Sequence, residues 1–191
     1  MINDNEIGFY IGNQWSFQVG ADGSLATPNV VSPQGLGSLS LGSQTASTGD
    51  NSVALGVGTT AKGFGAIAVG AYNNVQDNTV SSHAGAKGTD RVFQIGNGLG
   101  TQSLSNAFTV LRNGNVGIGN NALLPTYILE VGGRPRILHS QNTAGIHFDN
   151  SQHVVDGFVG MKTDEQVGFW LGNSWKFWVD NSGNGYLNGF I

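Results

Sequence analysis

The sequence contains no cysteine and few charged residues, and both absences narrow the class of protein. Without cysteine the chain can form neither disulfides nor thiolate metal sites. Charged residues make up 10% of the 191 residues, compared with about a quarter of an average soluble domain. The eight Lys and Arg residues are scattered along the chain, which argues against nucleic-acid binding through a basic patch.

The sequence also shows none of the segments that direct a protein into or across a membrane. Residues 1–6 are polar and acidic and do not resemble a secretory signal. No apolar run reaches the roughly 18 residues that a membrane-spanning helix needs. We therefore expect no membrane insertion.

Glycine is abundant, with 31 residues in 191, about twice its usual share of roughly 7%. Glycine inside a helix costs about 1 kcal/mol relative to alanine, whereas Gly, Asn and Ser are common in turns. The hydrophobic share of 39% is too high for a disordered tract. No stretch has the periodicity of an amphipathic helix. The composition therefore predicts an all-β protein.

A fourteen-residue repeat occupies the first third of the chain. The segments SLSLG (38–42), SVALG (52–56) and AIAVG (66–70) start fourteen residues apart. A fixed period of alternating small and aliphatic residues predicts a coil of stacked β-strands. The aliphatic residues occupy odd positions, so their side chains share one face. Residues 91–96 are interpreted as one more rung that follows an insertion.

Two aromatic segments predict β-hairpins. IGFYIGNQWSFQV (7–19) and VGFWLGNSWKFWV (167–179) match position by position, from Ile7 with Val167 to Val19 with Val179. Apolar residues alternate on both sides of a short Gly-Asn turn, which predicts one apolar face formed by the odd positions. A further hairpin is predicted at Asn113-Gly114, and another strand at 127–131.

These patterns divide the chain into four predicted parts. They are an N-terminal aromatic hairpin module (1–34), a β-roll with an insertion (35–100), a hairpin connector (101–135) and a C-terminal aromatic module (136–191). A slender roll and isolated hairpins have too little to pack on, and their open edges aggregate. Closed symmetry satisfies each copy alike. We therefore predict a homotrimer with Phe9, Trp15 and Phe17 buried at its axis.

The repeats resemble the head repeats of YadA-type trimeric autotransporter adhesins over residues 37–72. In that family such repeats form a left-handed parallel β-roll, and three rolls pack around an axis. Its members bind host matrix or cell surfaces. The resemblance implies an all-β, homotrimeric fibre with a short left-handed parallel β-roll and flanking β-hairpin modules.

Residues 92–133 are similar to segments of bacterial and phage tail-fibre-like proteins. The sequence shows neither the membrane anchor of the autotransporters nor the chaperone domain of many tail fibres. We therefore expect a fibre of a phage or phage-like contractile injection system. Its partners would be a baseplate or tail protein and a cell-surface glycan or protein receptor, met outside the cell. The alternatives are a fragment of a bacterial surface adhesin and a trimeric tailspike that depolymerises polysaccharide.

The sequence shows no convincing catalytic, cofactor or metal site. The glycine-rich residues 117–122 lack the following helix of a dinucleotide-binding motif. Asp164 and Glu165 are adjacent and point to opposite faces of a strand. The four histidines are not at ligand spacing, although one on a trimer axis would supply three ligands. We expect a protein that is not an enzyme and that holds no cofactor or metal.

The aromatic residues at even positions of the hairpins are the candidate binding site. Tyr10, Trp170 and Trp178 lie opposite the apolar odd face and could stack on a sugar ring. Asn173, Lys176 and Asp180 are the polar residues beside them. The alternative is that neighbouring chains cover both faces. More aromatic residues lie in the C-terminal hairpin, so we place the receptor-binding tip there.

Overall fold

The computed structural model describes residues 6–12, 14–21, 23–26, 35–76, 82–139 and 143–189. These residues form seventeen β-strands and a 3₁₀ turn at His83–Gly85, with no α-helix in these ranges. No helix in the described part is long and apolar enough to cross a membrane. The predicted all-β class is confirmed. The chain forms two compact units, residues 1–134 and 135–191.

The first unit contains twelve strands. They are β1 (Glu6–Ile11), β2 (Gln14–Gly20), β3 (Leu25–Ala26), β4 (Leu39–Ser43), β5 (Ala46–Ser47), β6 (Val53–Val57), β7 (Thr60–Ala61), β8 (Ile67–Ala71), β9 (Arg91–Asn97), β10 (Asn106–Leu111), β11 (Val116–Ile118) and β12 (Leu129–Val131). Ten of them form one sheet in the order β1-β2-β3-β4-β6-β8-β9-β10-β11-β12, and β5 pairs with β7. The first three predicted parts of the chain thus contribute to a single sheet, and their boundaries as domains stay predictions.

The repeats form a β-solenoid. Strands β4, β6 and β8 pair in parallel, with Leu39 opposite Val53 and Val53 opposite Ile67. Strand β9 continues the stack in parallel, with Ile67 opposite Phe93. The predicted period and the predicted rung after the insertion are both confirmed. The left-handed sense of the coil and the trimer stay predictions.

The interior of the solenoid is filled by small side chains. Ser40, Ala54 and Ala68, at even positions of three successive rungs, are completely buried. Ser40 Oγ lies 2.6 Å from Ser47 Oγ, so these two buried hydroxyls satisfy each other. The larger aliphatic residues at odd positions point outward, and Val57 and Ile67 are exposed. The aliphatic face predicted from the repeat is therefore the outside of the coil.

A column of glycines allows the rungs to approach each other closely. Gly42, Gly56 and Gly70 have positive φ angles of 123°, 124° and 99°. A Cβ atom at Gly56 would lie 2.0 Å from the carbonyl oxygen of Gly70, and one at Gly42 would lie 1.9 Å from that of Gly56. Only glycine fits this column, which explains why the fifth residue of each repeat is glycine.

The side chain of Asn73 takes the place of a strand at the end of the small β5–β7 sheet. Its Oδ1 accepts from the Thr60 backbone N–H at 2.7 Å, and its Nδ2 donates to the Thr60 carbonyl at 2.9 Å. Nδ2 also donates to Gln94 Oε1, which accepts in turn from Asn106. A buried amide network therefore closes the roll where the fourteen-residue period stops.

Antiparallel strands flank the roll on both sides. On the N-terminal side, β1 and β2 form the predicted hairpin, and β3 pairs in parallel with β4. On the other side, β9, β10 and β11 are antiparallel, and β12 joins β11 in parallel. The Leu111 N–H donates to the Asn115 carbonyl around the Asn113-Gly114 turn, as predicted.

The second unit is an antiparallel meander of five strands. They are β13 (Gly145–Asp149), β14 (Val155–Thr163), β15 (Gln166–Leu171), β16 (Ser174–Asp180) and β17 (Gly185–Leu187). The turn between β15 and β16 is formed by Gly172 and Asn173, whose φ angles are 52° and 69°. Two consecutive positive φ angles match the twist of a two-residue hairpin.

A β-bulge in this hairpin changes the predicted faces. Phe169 lies opposite Phe177, whereas Trp170 lies opposite Trp175, so β16 contains one extra residue, Lys176. Simple alternation placed Trp175 on the odd face with Phe177. That prediction was wrong, because the bulge moves Trp175 to the face of Trp170. The register of the N-terminal hairpin shifts at the equivalent place, with Phe9 opposite Phe17 and Tyr10 opposite Trp15.

The duplication extends to a third strand that the matching segments did not predict. Val19 lies opposite Leu25, and its counterpart Val179 lies opposite Gly185, so the third strands pair at equivalent positions. The turns match as well: the Gly23 N–H donates to the Gly20 carbonyl, and the Gly183 N–H donates to the Asp180 carbonyl, both at 3.0 Å. We call β1–β3 the first module and β15–β17 the second module.

Candidate binding surface on the C-terminal sheet

The sheet of the second unit has two distinct faces. Strand pairing puts Ile146, Val159, Phe169, Phe177 and Leu187 in one row across all five strands. We call this side the aliphatic face; it also carries Phe148, Met161, Val167, Leu171 and Val179. We call the opposite side the aromatic face; it carries His147, Phe158, Lys162, Trp170, Trp175, Trp178 and Tyr186.

The first half of the aromatic face is built around Phe158. Its ring lies edge-on to Trp175, with centroids 5.9 Å apart, and 4.8 Å from the ring of His147. Phe158 is buried, because Gly145 and Gly160 leave room for its ring: a Cβ at either position would lie 2.5 Å from Phe158 Cζ. A cavity of roughly 260 Å³ opens here. It is lined by Thr143, His147, Val155, Phe158, Trp170 and Trp175.

The second half of the aromatic face is built around Trp178. Tyr186 stacks on its indole with centroids 5.4 Å apart and an interplanar angle of 11°. Lys162 Nζ lies 3.3 Å from the Trp178 ring centroid, a cation–π contact. Gly168 lies opposite Trp178 on β15, and a Cβ there would come within 2.6 Å of Trp178 Cβ. Glycine at this position therefore allows the close approach of β15 to the β16 backbone at Trp178.

Asp180 orders the loop that leads into Tyr186. Its carboxylate accepts from the Ser182 and Asn184 backbone N–H groups, from Asn184 Nδ2 and, at 2.9 Å, from Tyr186 Oη. The bonds from the Asn184 side chain and backbone, with smaller help from Tyr186 and Ser182, lower the pKa of Asp180. The bond to Asp180 correspondingly raises the pKa of Tyr186. Asp180 thus holds Tyr186 against Trp178.

The structure brings some of the predicted site residues together and separates others. Trp170, Trp178 and Asp180 belong to the aromatic face or its border. Asn173 lies in the hairpin turn, and Lys176 is the exposed extra residue of the bulge. The side chain of Tyr10 lies outside the described residues. Their role in binding stays a prediction.

Several residues of this surface were not predicted from the sequence. Trp175 was assigned to the wrong face because alternation does not reveal the bulge. Tyr186 could have been found from Gly183, which occupies the position equivalent to Gly23 when the two modules are aligned. The sequence around Phe158 and Lys162 does not indicate that they belong to the aromatic face, because they join it only through the pairing of β14 with β15.

The two modules share one face and differ on the other. On the odd side both modules are apolar at five equivalent strand positions, from Ile7 and Val167 to Val19 and Val179, and each has one polar residue next to the turn, Gln14 or Ser174. On the even side, Trp178 and Tyr186 replace Gln18 and Ala26, and Asp180 replaces Gly20. Trp178, Tyr186 and Asp180, which we call the Trp178 cluster, are therefore specific to the second module.

The sheet of the first unit also has a continuous apolar face. Strand pairing aligns one apolar residue from each of its ten strands. This row consists of Ile7, Val19, Leu25, Leu39, Val53, Ile67, Phe93, Val110, Val116 and Leu129. A second row consists of Leu41, Leu55, Val69, Ile95, Phe108, Ile118 and Val131. We call these two rows the outer face of the first unit.

The described part of the chain contains no group of metal-ligating side chains: within those ranges, no three His, Asp or Glu side chains lie close enough to hold an ion. On the second unit His139 Nε2 and Asp164 Oδ1 are 3.9 Å apart, and both side chains are exposed. The aromatic face offers stacking surfaces and an apolar cavity, which suit binding of a ligand with apolar faces.

Comparison with protein families gives a match on the solenoid. Residues 34–59 and 47–73 each match the YadA head domain repeat. The two copies cover the rungs β4, β6 and β8. No curated protein and no solved structure matches the chain. The match supports the YadA-like element and, through it, a homotrimer, because these repeats belong to trimeric adhesins that act outside the cell. The predicted tail-fibre resemblance has no such support.

Proposed function

We propose that this chain is part of a trimeric extracellular adhesin and that it works by binding rather than by catalysis. The observation that carries the proposal is the pair of YadA head repeats at residues 34–73, whose aliphatic residues point outward. The bacterial adhesin is therefore preferred to the phage-like tail fibre.

The outer face of the first unit supports the trimer. A row of apolar side chains across ten strands is about 45 Å long at roughly 4.8 Å per strand. A soluble monomer rarely exposes a continuous apolar surface of this extent. Three equivalent copies around an axis would cover the face of each one alike.

The mass of the purified protein in solution tests the trimer. Light scattering should give three times the chain mass of 19.9 kDa. Leu55→Glu places a charge on the outer face and should yield monomers, because an unpaired charge cannot be buried cheaply. Asn113→Asp adds the same charge in an exposed turn and should remain trimeric. A monomeric wild-type chain would refute the proposal.

We place the binding site for a cell-surface glycan on the aromatic face of the second unit. Trp170 borders the cavity beside Trp175, and Trp178 forms the neighbouring stack with Tyr186. Aromatic rings bind the apolar faces of sugars, and the exposed amide of Asn173 and ammonium of Lys176 can bond hydroxyl groups. Restriction of the Trp178 cluster to the second module supports this location. A metal or cofactor is not part of the proposal.

A glycan array tests the site with Trp170→Ala and Trp178→Ala. Three equivalent sites act together in a trimer, so a modest loss at each site is multiplied. We expect apparent affinity to fall by at least about tenfold for each variant. Gln18→Ala alters the equivalent position of the first module and should bind like wild type. If both tryptophan variants bind like wild type, the site is elsewhere.

Two further measurements separate the alternatives predicted from the sequence. Antibodies against the chain should label intact bacteria; labelling restricted to phage-like particles, with a baseplate or tail partner, would restore the tail-fibre hypothesis. Incubation with capsular polysaccharide should release no reducing ends. Their release would indicate the depolymerase instead.

A further inference from the structure

We propose that the aliphatic face of the second unit is an interface between copies of this chain. The partner is the same face of the other two copies. The inference rests on the proposed trimer and extends it to a sheet that lies outside the residues matched by the head repeats.

The aliphatic face is so apolar that we expect another protein surface to cover it. None of the strand-paired residues on this face is charged, and Ile146, Phe169 and Leu187 are 54%, 52% and 61% exposed. The second unit has one sheet only, so no second layer within residues 143–189 lies over this side. Leaving such a surface in water forgoes about 25 cal/mol per Å² of apolar area.

The duplicated module indicates which partner covers it. Phe9 and Phe17 have ring centroids 6.3 Å apart at an interplanar angle of 39°, and Phe169 and Phe177 have centroids 6.3 Å apart at 36°. Val19 of the first module and Val179 of the second module occupy equivalent positions. The two modules therefore present the same Phe pair and the same valine in the same register, although Leu25 of the first module corresponds to Gly185 of the second.

In the first module this face is continuous with the solenoid. Val19 lies opposite Leu25, Leu25 opposite Leu39, and Leu39 opposite Val53. Val53 belongs to a rung that matches the head repeat, whose outer face is the proposed trimer contact. The copies that cover the outer face of the solenoid in the proposed trimer therefore also cover the apolar face of the first module.

The same argument applies to the second module, because it presents the same face. A different protein partner would not need to match the first module, whereas two further copies of this chain need surfaces that match their own. An apolar face whose paired residues carry no charge can be covered by its own copies around a closed symmetry axis.

Single cysteines test the interface without ambiguity, because the native chain has no cysteine. Val167→Cys and Leu171→Cys place a thiol on the aliphatic face with little change in bulk. His147→Cys places one on the aromatic face of the same sheet as the matched control. Leu55→Cys reports the trimer contact of the solenoid independently. Each full-length variant is treated at low concentration with a short bismaleimide and analysed on a denaturing gel.

We expect covalent dimers from Val167→Cys, Leu171→Cys and Leu55→Cys, at a yield at least about fivefold above that of His147→Cys. If Leu55→Cys gives dimers and neither aliphatic-face variant does, the inference is overturned and the trimer stands. If none of the three gives dimers, both fail. Equal dimer yields from His147→Cys and Val167→Cys would also overturn the inference, since the contact would then not distinguish the faces.

Discussion

The solenoid and the C-terminal sheet present aliphatic residues on one side of their strands but differ on the other. In the solenoid the other side is closed and filled by Ser, Thr and Ala side chains, of which Ser40 and Ala68 are typical. In the C-terminal sheet it is open and carries the rings of Phe158, Trp170 and Trp178. One strand pattern therefore supports a closed interior in one region and an open aromatic surface in the other.

This difference indicates how the two regions divide their roles. A solenoid interior of small residues fits only one spacing between rungs, so its sequence is restricted at every inward position. The aromatic face of the sheet is restricted in this way around the buried Phe158 ring, whereas Trp178 and Tyr186 have different residues at the equivalent positions of the first module. We therefore expect substitutions in the solenoid interior and at Phe158 to affect folding, and substitutions at Trp170 and Trp178 to affect binding.

The largest expected effect is that of Gly56→Ala in the solenoid. Its Cβ would lie 2.0 Å from the Gly70 carbonyl oxygen, and the backbone there cannot move without breaking the ladder. We expect a loss of about 4 kcal/mol or more, measured as a large fall in the thermal midpoint.

Gly65→Asn is the matched control for that prediction. Gly65 has a φ angle of 60° and a Cβ there would meet nothing within 4 Å. Asn51 occupies the same corner one repeat earlier with a φ angle of 55°. Gly65→Asn should therefore cost under about 1 kcal/mol. Equal losses for both variants would contradict the close-approach explanation.

The second effect is that of Phe158→Ala in the sheet. Phe158 is buried between Gly145, Gly160 and the Trp175 ring, so its removal leaves a cavity. We expect a loss of about 3 kcal/mol, with weaker near-ultraviolet circular dichroism from the tryptophans. Phe148→Ala, on the exposed aliphatic face, is the comparison in the monomeric Leu55→Glu background and should cost less. A larger loss of stability for Phe148→Ala than for Phe158→Ala would contradict this prediction.

The third effect is that of Asn73→Ala at the end of the roll. The change leaves the Thr60 backbone N–H and carbonyl without their amide partner and removes one of the two donors to Gln94 Oε1. Leaving buried polar groups unpaired costs about 1–3 kcal/mol. Asn113→Ala removes a single exposed hydrogen bond to Asn115 and should cost only about 0.5 kcal/mol. Thermal melts of both variants measure the difference, and equal midpoints would exclude a special role for Asn73.

The smallest effect is the pH dependence contributed by Asp180. Hydrogen bonds lower its pKa from the ordinary value of 3.8, so folding favours the ionised carboxylate. The resulting stability is present above pH 3.8 and is lost as the pH falls through the lower folded-state value. Wild type should melt above Asp180→Asn at neutral pH, and this gap should narrow in acid. Asp149→Asn is the control, and a gap that widens in acid would contradict the sign.

Much of the fold was predictable because the repeat and the duplication are visible in the sequence. The period of fourteen residues sets the pairing of Leu39 with Val53, and Asn113-Gly114 marks a turn. The sequence does not reveal which side of the repeat faces inward. Small and aliphatic residues alternate along each strand, and the pattern is the same whichever set lines the interior. The burial of Ser40, Ala54 and Ala68 shows that the small residues face inward, and this burial becomes visible only in three dimensions.

The aromatic face was less predictable for a physical reason. Trp170 and Trp178 were found because they lie on a hairpin whose strands are close in sequence. Lys162 contacts Trp178 from another strand across Gly168, and that contact depends on the register of β14. The bulge at Lys176 likewise depends on one extra residue in β16, which alternation alone does not detect.

Successive rungs of the solenoid have the same spacing, so its length is proportional to the number of repeats. Each further repeat of this kind would add about 4.8 Å of reach and would leave the neighbouring strands unchanged, since every rung offers the next one the same backbone edge. Between β8 and β9 the stack continues even though extra residues intervene. Gene duplications that change the number of repeats would therefore alter the length of the solenoid while leaving the sequence of the aromatic face unchanged.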